Sequence, residues 1–209
     1  MSRYSLRAVG AALVVVLCAG CGGNEKPHGE AALKSACEGV FDDGLINEAR
    51  KSDDFNDLHV ASGTRSHAAA VKTMLDEDHA AYACILDDKD SSDSDAGALS
   101  IKFTPGMRTL FPEDQNRSYG AYKAYKLGNG MQATIEAGGA DVYFECESKD
   151  RMRPLTVTGT FHNDFDLSSE ARFRPLFRSS LKVAKLLKCE NNIKFPDPAT
   201  MKYLPLQKD

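Results

Sequence analysis

The chain has 209 residues, 27% of them charged, no tryptophan and a formal net charge of −4. A mildly acidic surface argues against nucleic acid as a general partner, because neutralising phosphates requires a basic face. Beyond residue 20 no apolar run reaches the roughly 20 residues that a membrane span needs, so the body is expected to be soluble.

Residues 1–20 have the three zones of an export signal. Arg3 and Arg7 make a positive start, and the apolar run 8–19 centres on Val14, Val15, Val16 and Leu17. About a dozen apolar residues are too few to cross a bilayer. The ending Leu17-Cys18-Ala19-Gly20-Cys21 resembles the lipobox of bacterial lipoproteins. That resemblance implies acylation of the Cys21 sulfur, removal of residues 1–20, and a lipid anchor (palmitate among its acyl chains) at the extracytoplasmic face of the cell membrane. Leu usually stands three places before the cut, where this chain has Cys18. Acylating Cys18 instead would put Leu17 at the cleavage position, which needs a small residue, so Cys21 is the lipidation site. An ordinary secretory signal cut near Gly23 is the alternative. Loss of Arg3 and Arg7 takes the net charge from −4 to −6.

Six cysteines fit the same compartment. With Cys18 and Cys21 set aside, Cys37, Cys84, Cys146 and Cys189 remain, and four cysteines in an exported domain allow three disulfide pairings. The spacings, 47 residues from Cys37 to Cys84 and 43 from Cys146 to Cys189, favour sequential pairing. Zinc is disfavoured because no two of these cysteines form a Cys-x-x-Cys clip.

In chain order, 21–30 is the lipidated cysteine with a Gly-rich tether running from Gly22 to Glu30, and 31–209 is a single domain. Apolar spacing predicts helices at 31–37, 43–51 (Asp43 as cap) and 64–78 (Thr64 as cap), the last with Ala68, Val71, Met74 and Leu75 inward. Strands follow at 80–86 and 99–103, separated by an acidic Ser/Asp loop. Further strands at 119–127 and 131–137 flank Gly128-Asn129-Gly130, a hairpin signal. Strands at 141–147 and 155–162 precede a last helix at 175–188, with Pro175 at its start and Leu176, Phe177, Leu181, Ala184 and Leu187 inward.

The unit Tyr82 to Cys84, loop, Leu99 to Phe103 is echoed by Tyr143 to Cys146, loop, Leu155 to Phe161, with chance similarity as the alternative. The expectation is an α+β fold, an antiparallel sheet with helices packed on one face and two disulfide-stapled halves, 31–110 and 118–209. The lipobox, the tether, Cys37-Glu38-Gly39, Tyr143-Phe144-Glu145-Cys146 and Leu186-Leu187-Lys188-Cys189-Glu190 together resemble small exported lipoproteins of actinobacteria such as streptomycetes. The likeness covers most of the mature chain and implies location and fold. It carries no catalytic residues.

Chemical motifs are sparse. An EF-hand frame starting at Asp88 would need Gly at its sixth place and Glu at its twelfth, where Asp93 and Leu99 stand. His28, His59, His67, His79 and His162 show no metal-ligand spacing and are expected at the surface or at helix caps. No serine-nucleophile motif and no cofactor motif occurs, so neither catalytic residues, a metal nor a cofactor is assigned. Glu145 and Glu147 share a strand face but are expected to face solvent. Two features suit binding. Tyr119, Tyr122 and Tyr125 alternate with lysines, and Arg174, Arg178, Lys182, Lys185 and Lys188 form a basic stripe suited to anionic lipid or cell-wall polymer. The leading expectation is a non-catalytic, lipid-tethered domain that binds an envelope protein or polymer. The alternatives are an envelope hydrolase assembled from distant residues such as Glu145 and His162, and a small-ligand carrier with a pocket between sheet and helices.

Overall fold

The computed structural model describes residues 26–63, 65–88, 97–106 and 123–205. The signal, Cys21, Thr64, the loop 89–96, Tyr119 and Tyr122 lie outside the described residues.

Helix α1, Gly29–Ser35, buries Ala32 and Leu33. It starts earlier than expected because the chain is already engaged there: His28 bridges His59, and the Gly29 N–H donates to Leu58 O at 2.8 Å. The tether therefore ends before His28 rather than at Glu30. Next comes a 3-10 turn, Ala36–Gly39, in which Cys37 (φ 54°), Glu38 (φ 55°) and Gly39 (φ 73°) are all left-handed. Glycine takes this conformation freely, whereas Cys37 and Glu38 each cost on the order of 1–2 kcal/mol. Contacts elsewhere must hold them.

Helix α2, Asp43–Ala49, is capped by Asp42, whose carboxylate accepts the Leu45 N–H at 3.0 Å; the cap sits one residue before the expected Asp43. Helix α3, His67–Glu77, is capped by Ser66, not Thr64. Its buried stripe is His67, Ala70, Val71 and Met74, while Leu75 is 44% exposed. Helix α4, Ser169–Leu186, starts six residues before Pro175, because Ser168 accepts the Ala171 N–H and Glu170 places a carboxylate in the first turn. Pro175 is interior and gives up one ladder bond to Ala171. Leu181 turns outward, at 43% exposure, and Ser180 is buried instead.

Seven antiparallel strands form one sheet in the order β1-β2-β3-β7-β6-β5-β4. They are β1 His59–Val60, β2 Ala81–Asp87, β3 Leu99–Pro105, β4 Lys123–Gly128, β5 Met131–Glu136, β6 Gly139–Cys146 and β7 Leu155–Asn163. The sequence missed β1, whose two residues are too few to show a period. Gly128, Asn129 and Gly130, all at positive φ, turn β4 into β5. Hairpins β2–β3 and β6–β7 meet along β3 and β7. Cys84 pairs with Ile101, three residues before Thr104, and Cys146 pairs with Leu155, three residues before Thr158. Thr104 and Thr158 are themselves partners, so the two cysteines occupy equivalent ladder positions about that pair.

Helix α3 packs on β2 and β3, and α4 packs on β6 and β7. Disulfides tie each hairpin to a helix end: Cys37 to Cys84 (Cα–Cα 5.2 Å) and Cys146 to Cys189 (4.9 Å), the sequential pairing. Between the layers lie Phe103, Phe144, Phe161, Phe173 and Leu176, all buried. Phe195 stacks on Phe177 at 4.6 Å, and the Leu204 N–H donates to Ala124 O at 2.7 Å, so the C-terminal segment lies on the β4 edge. An exposed edge invites strand addition from another chain.

Gly159 decides how closely α4 approaches the sheet. A Cβ there would lie 2.9 Å from Phe103 Cε1 and 3.2 Å from Leu176 Cδ1. Gly159→Ala should therefore lower stability by about 1–3 kcal/mol through overpacking. Urea unfolding measures this, and an unchanged midpoint would contradict the packing described.

Candidate functional site

The most organised polar cluster joins the strained turn, α3 and α4. His67 and Ser179, 112 residues apart, are both fully buried, and Nε2 of His67 lies 2.5 Å from the Ser179 hydroxyl oxygen. On the other side of the ring, Nδ1 lies 3.2 Å from Glu38 Oε2, close but poorly aligned for a hydrogen bond. Glu38 Oε1 accepts the His67 backbone N–H at 3.3 Å. Lys182 Nζ donates to the Glu38 carbonyl at 2.7 Å and lies 3.3 Å from its carboxylate. The left-handed geometry of residues 37–39 thus aims Glu38 at the head of α3.

Burial pushes His67 below its ordinary value, outweighing the pull of Glu38. The neutral ring is therefore favoured near pH 7, and its Nε2 shares a hydrogen bond with the Ser179 hydroxyl. Partial burial pushes the Glu38 carboxyl up, but contacts with His67 and Lys182 together hold it below its ordinary value.

Serine, histidine and carboxylate in this order match the connectivity of a nucleophilic relay. The surroundings do not match. Ser179 has no exposed surface, and it lies inside α4, where backbone N–H groups are committed to the helix ladder and cannot stabilise an oxyanion. The cluster acts as a latch that fastens three elements. His67, expected at the surface or at a helix cap, is instead buried directly after the Ser66 cap and heads the i, i+3, i+4, i+7 stripe of α3, a pattern visible once the stripe is started one residue before Ala68.

The basic stripe of α4 is largely spoken for. Arg174 and Arg178 both lie 3.3 Å from Asp42, Arg174 also pairs with Glu170, and Arg178 donates to Val40 O at 3.2 Å. Lys188 lies 3.3 Å from Asp150. Lys185 alone of the five is exposed and without an ion pair among the described residues. Tyr125 is buried, edge-on to Phe173 at 5.2 Å, so it serves the core and does not present a ring to a partner.

Glu145 and His162 are not brought together. Glu145 lies opposite Thr156, six residues along β7 from His162, or about 20 Å. Glu145 instead accepts from the Tyr143 hydroxyl at 2.9 Å. The other conspicuous acid is Asp141, which burial pushes up and which accepts from Thr160 at 2.6 Å. Clefts of about 290 Å³, beside Tyr125 and Met201, and about 410 Å³, beside Leu181 and Ile193, follow the C-terminal segment.

No family model, curated protein or solved structure matches the chain. The functional reading therefore rests on its own residues.

The latch makes stability depend on pH. His67 takes up a proton more readily unfolded than folded, so its contribution is complete above about pH 6.5 and is lost as the pH falls toward the lowered folded value. The urea midpoint should drop between about pH 7 and pH 5. His67→Gln should flatten that drop, and the same slope in both proteins would contradict a buried neutral imidazole.

Proposed function

We propose that this chain is an exported lipoprotein, similar to small actinobacterial lipoproteins, whose body is a non-catalytic binding domain for an envelope protein or polymer. The acyl chain on Cys21 holds it at the extracytoplasmic face of the cell membrane. The observation that carries this reading is the pair of helix-to-sheet disulfides downstream of a lipobox-like ending, since structural disulfides persist in oxidising compartments. Among the described residues no helix is long and apolar enough to cross a membrane. A diacylated or triacylated cysteine anchors stably because each buried methylene contributes about 0.8 kcal/mol. The non-catalytic part is supported by the burial of Ser179 and His67 and by the separation of Glu145 from His162.

Labelled palmitate supplied to cells expressing the chain should enter the wild-type protein and not Cys21→Ser, and the variant should leave the membrane fraction. Equal labelling of both, or labelling of neither, would remove the anchor from this account. A fluorophosphonate probe should leave Ser179 unlabelled, and specific labelling there would move the reading to a hydrolase.

A further inference from the structure

A buried cation at the start of α4 is short of negative charge. Arg172 is 7% exposed, and among the described residues it has no ion pair. Its Nη1 donates to the Glu136 carbonyl, while its Nε is buried with no partner. Asp166 and Glu48 are the acids that act on it, and burial outweighs them, pushing the guanidinium below its ordinary value. A buried charge without a close counter-ion is unfavourable, and a bound anion would offset that penalty.

Arg172 lines an open cleft of about 390 Å³ with Lys123, Ser168 and Ser169, and one acid, Glu136, stands in the same wall. That volume falls within the range of small-molecule sites. The first helical hydrogen bond of α4 runs from the Arg172 N–H to Ser168 O, so the N–H groups of Ser169 and Glu170 precede the ladder at the positive end of an 18-residue helix. Glu48 shows what this end attracts: its carboxylate takes the Ser168 N–H at 2.6 Å and the Ser168 hydroxyl at 2.8 Å. Lys123 adds a second cation at the cleft wall, its Nζ 5.2 Å from the centre of the Tyr203 ring. Glu136 in the cleft wall and Asp166 and Glu48 nearby are its carboxylates, and among the described residues none of them forms an ion pair with Arg172.

We propose that this cleft binds a small oxyanion, a phosphate or carboxylate group, through Arg172 and Lys123 at the N-terminus of α4. The inference deepens the binding-domain reading by naming the group recognised, and it rests on that reading for the source of the group in the envelope. Arg172 supplies the buried, directional donor, Lys123 a charge at the rim, and the N–H groups of Ser169 and Glu170 complete the cradle, the Ser168 N–H and hydroxyl being held by Glu48.

The test is a ¹H–¹⁵N titration of the full chain in detergent, at constant ionic strength, with inorganic phosphate, acetate and poly(glycerol phosphate) in separate arms. Saturable shifts at Ser169, Glu170 and the Arg172 Nε are expected in at least one arm. Tighter binding in the polymer arm assigns the group to an envelope polymer, and equal binding assigns it to a free anion. Arg172→Met and Lys123→Met should each weaken binding by about tenfold or more. Lys123→Met keeps the test valid if Arg172→Met fails to fold. Non-saturating shifts in all arms, or affinity unchanged in Lys123→Met, would overturn the site. The titration does not depend on acylation, so a failure here is separate from failure of the Cys21 anchor.

Discussion

Two covalent ties fix where the helices can lie. Cys37–Cys84 fastens the end of α1 to β2, and Cys146–Cys189 fastens the end of α4 to β6. Each closes a loop of more than forty residues, which in the chain-entropy model is worth about 4 kcal/mol. The first tie bears on conformation as well as stability. It holds the chain at the point where Cys37 and Glu38 are left-handed, a geometry two ordinary residues would not keep unaided. From that turn Glu38 reaches His67 and Lys182, and through them α3 and α4. The latch is thus downstream of the disulfide: a covalent tie sets a strained turn, the turn aims a carboxylate, and the carboxylate faces a buried imidazole.

Positive charge along α4 is divided by its surroundings into two kinds. Arg174, Arg178 and Lys182 meet Asp42, Glu38 and Glu170 at a half-exposed seam with the N-terminal elements, where each pair contributes at most about 1 kcal/mol. They orient α4 over the turn and leave little free charge for an outside partner. Arg172, two residues before Arg174 and so on another side of the same helix, faces the opposite situation, deeply buried beside an open cleft and with no ion pair among the described residues. The difference lies in position and not in composition, since all four side chains are cationic.

Much of the fold was legible in the sequence. Hydrophobic alternation found six of the seven strands, and Gly128-Asn129-Gly130 marked a real hairpin. Cysteine spacing pointed to the pairing the structure contains. The misses have physical causes. Pro175 read as a helix start because proline suits that place, but Ser168 and Glu170 offered a stronger start and the helix absorbed the proline. Tyr125, interleaved with lysines, was compatible with either a binding ring or a core ring, and the packing of Phe173 and Tyr203 against it decides for the core. The site was the least legible part. Glu38, His67 and Ser179 come from three distant stretches with no shared motif. Nothing local marks Arg172 as buried, because its environment comes from β5 and the residues before α4. Long-range contacts of this kind leave no trace in spacing.

The central claim is that the body is stapled helix to sheet at both ends. Non-reducing peptide mapping of the chain isolated from native envelopes tests it most directly. The account predicts two linked peptide pairs, one joining the segments around Cys37 and Cys84 and the other those around Cys146 and Cys189, with no free thiol among the four. Recovery of all four as alkylatable thiols, or of a cross-pairing such as Cys37 with Cys146, would contradict it.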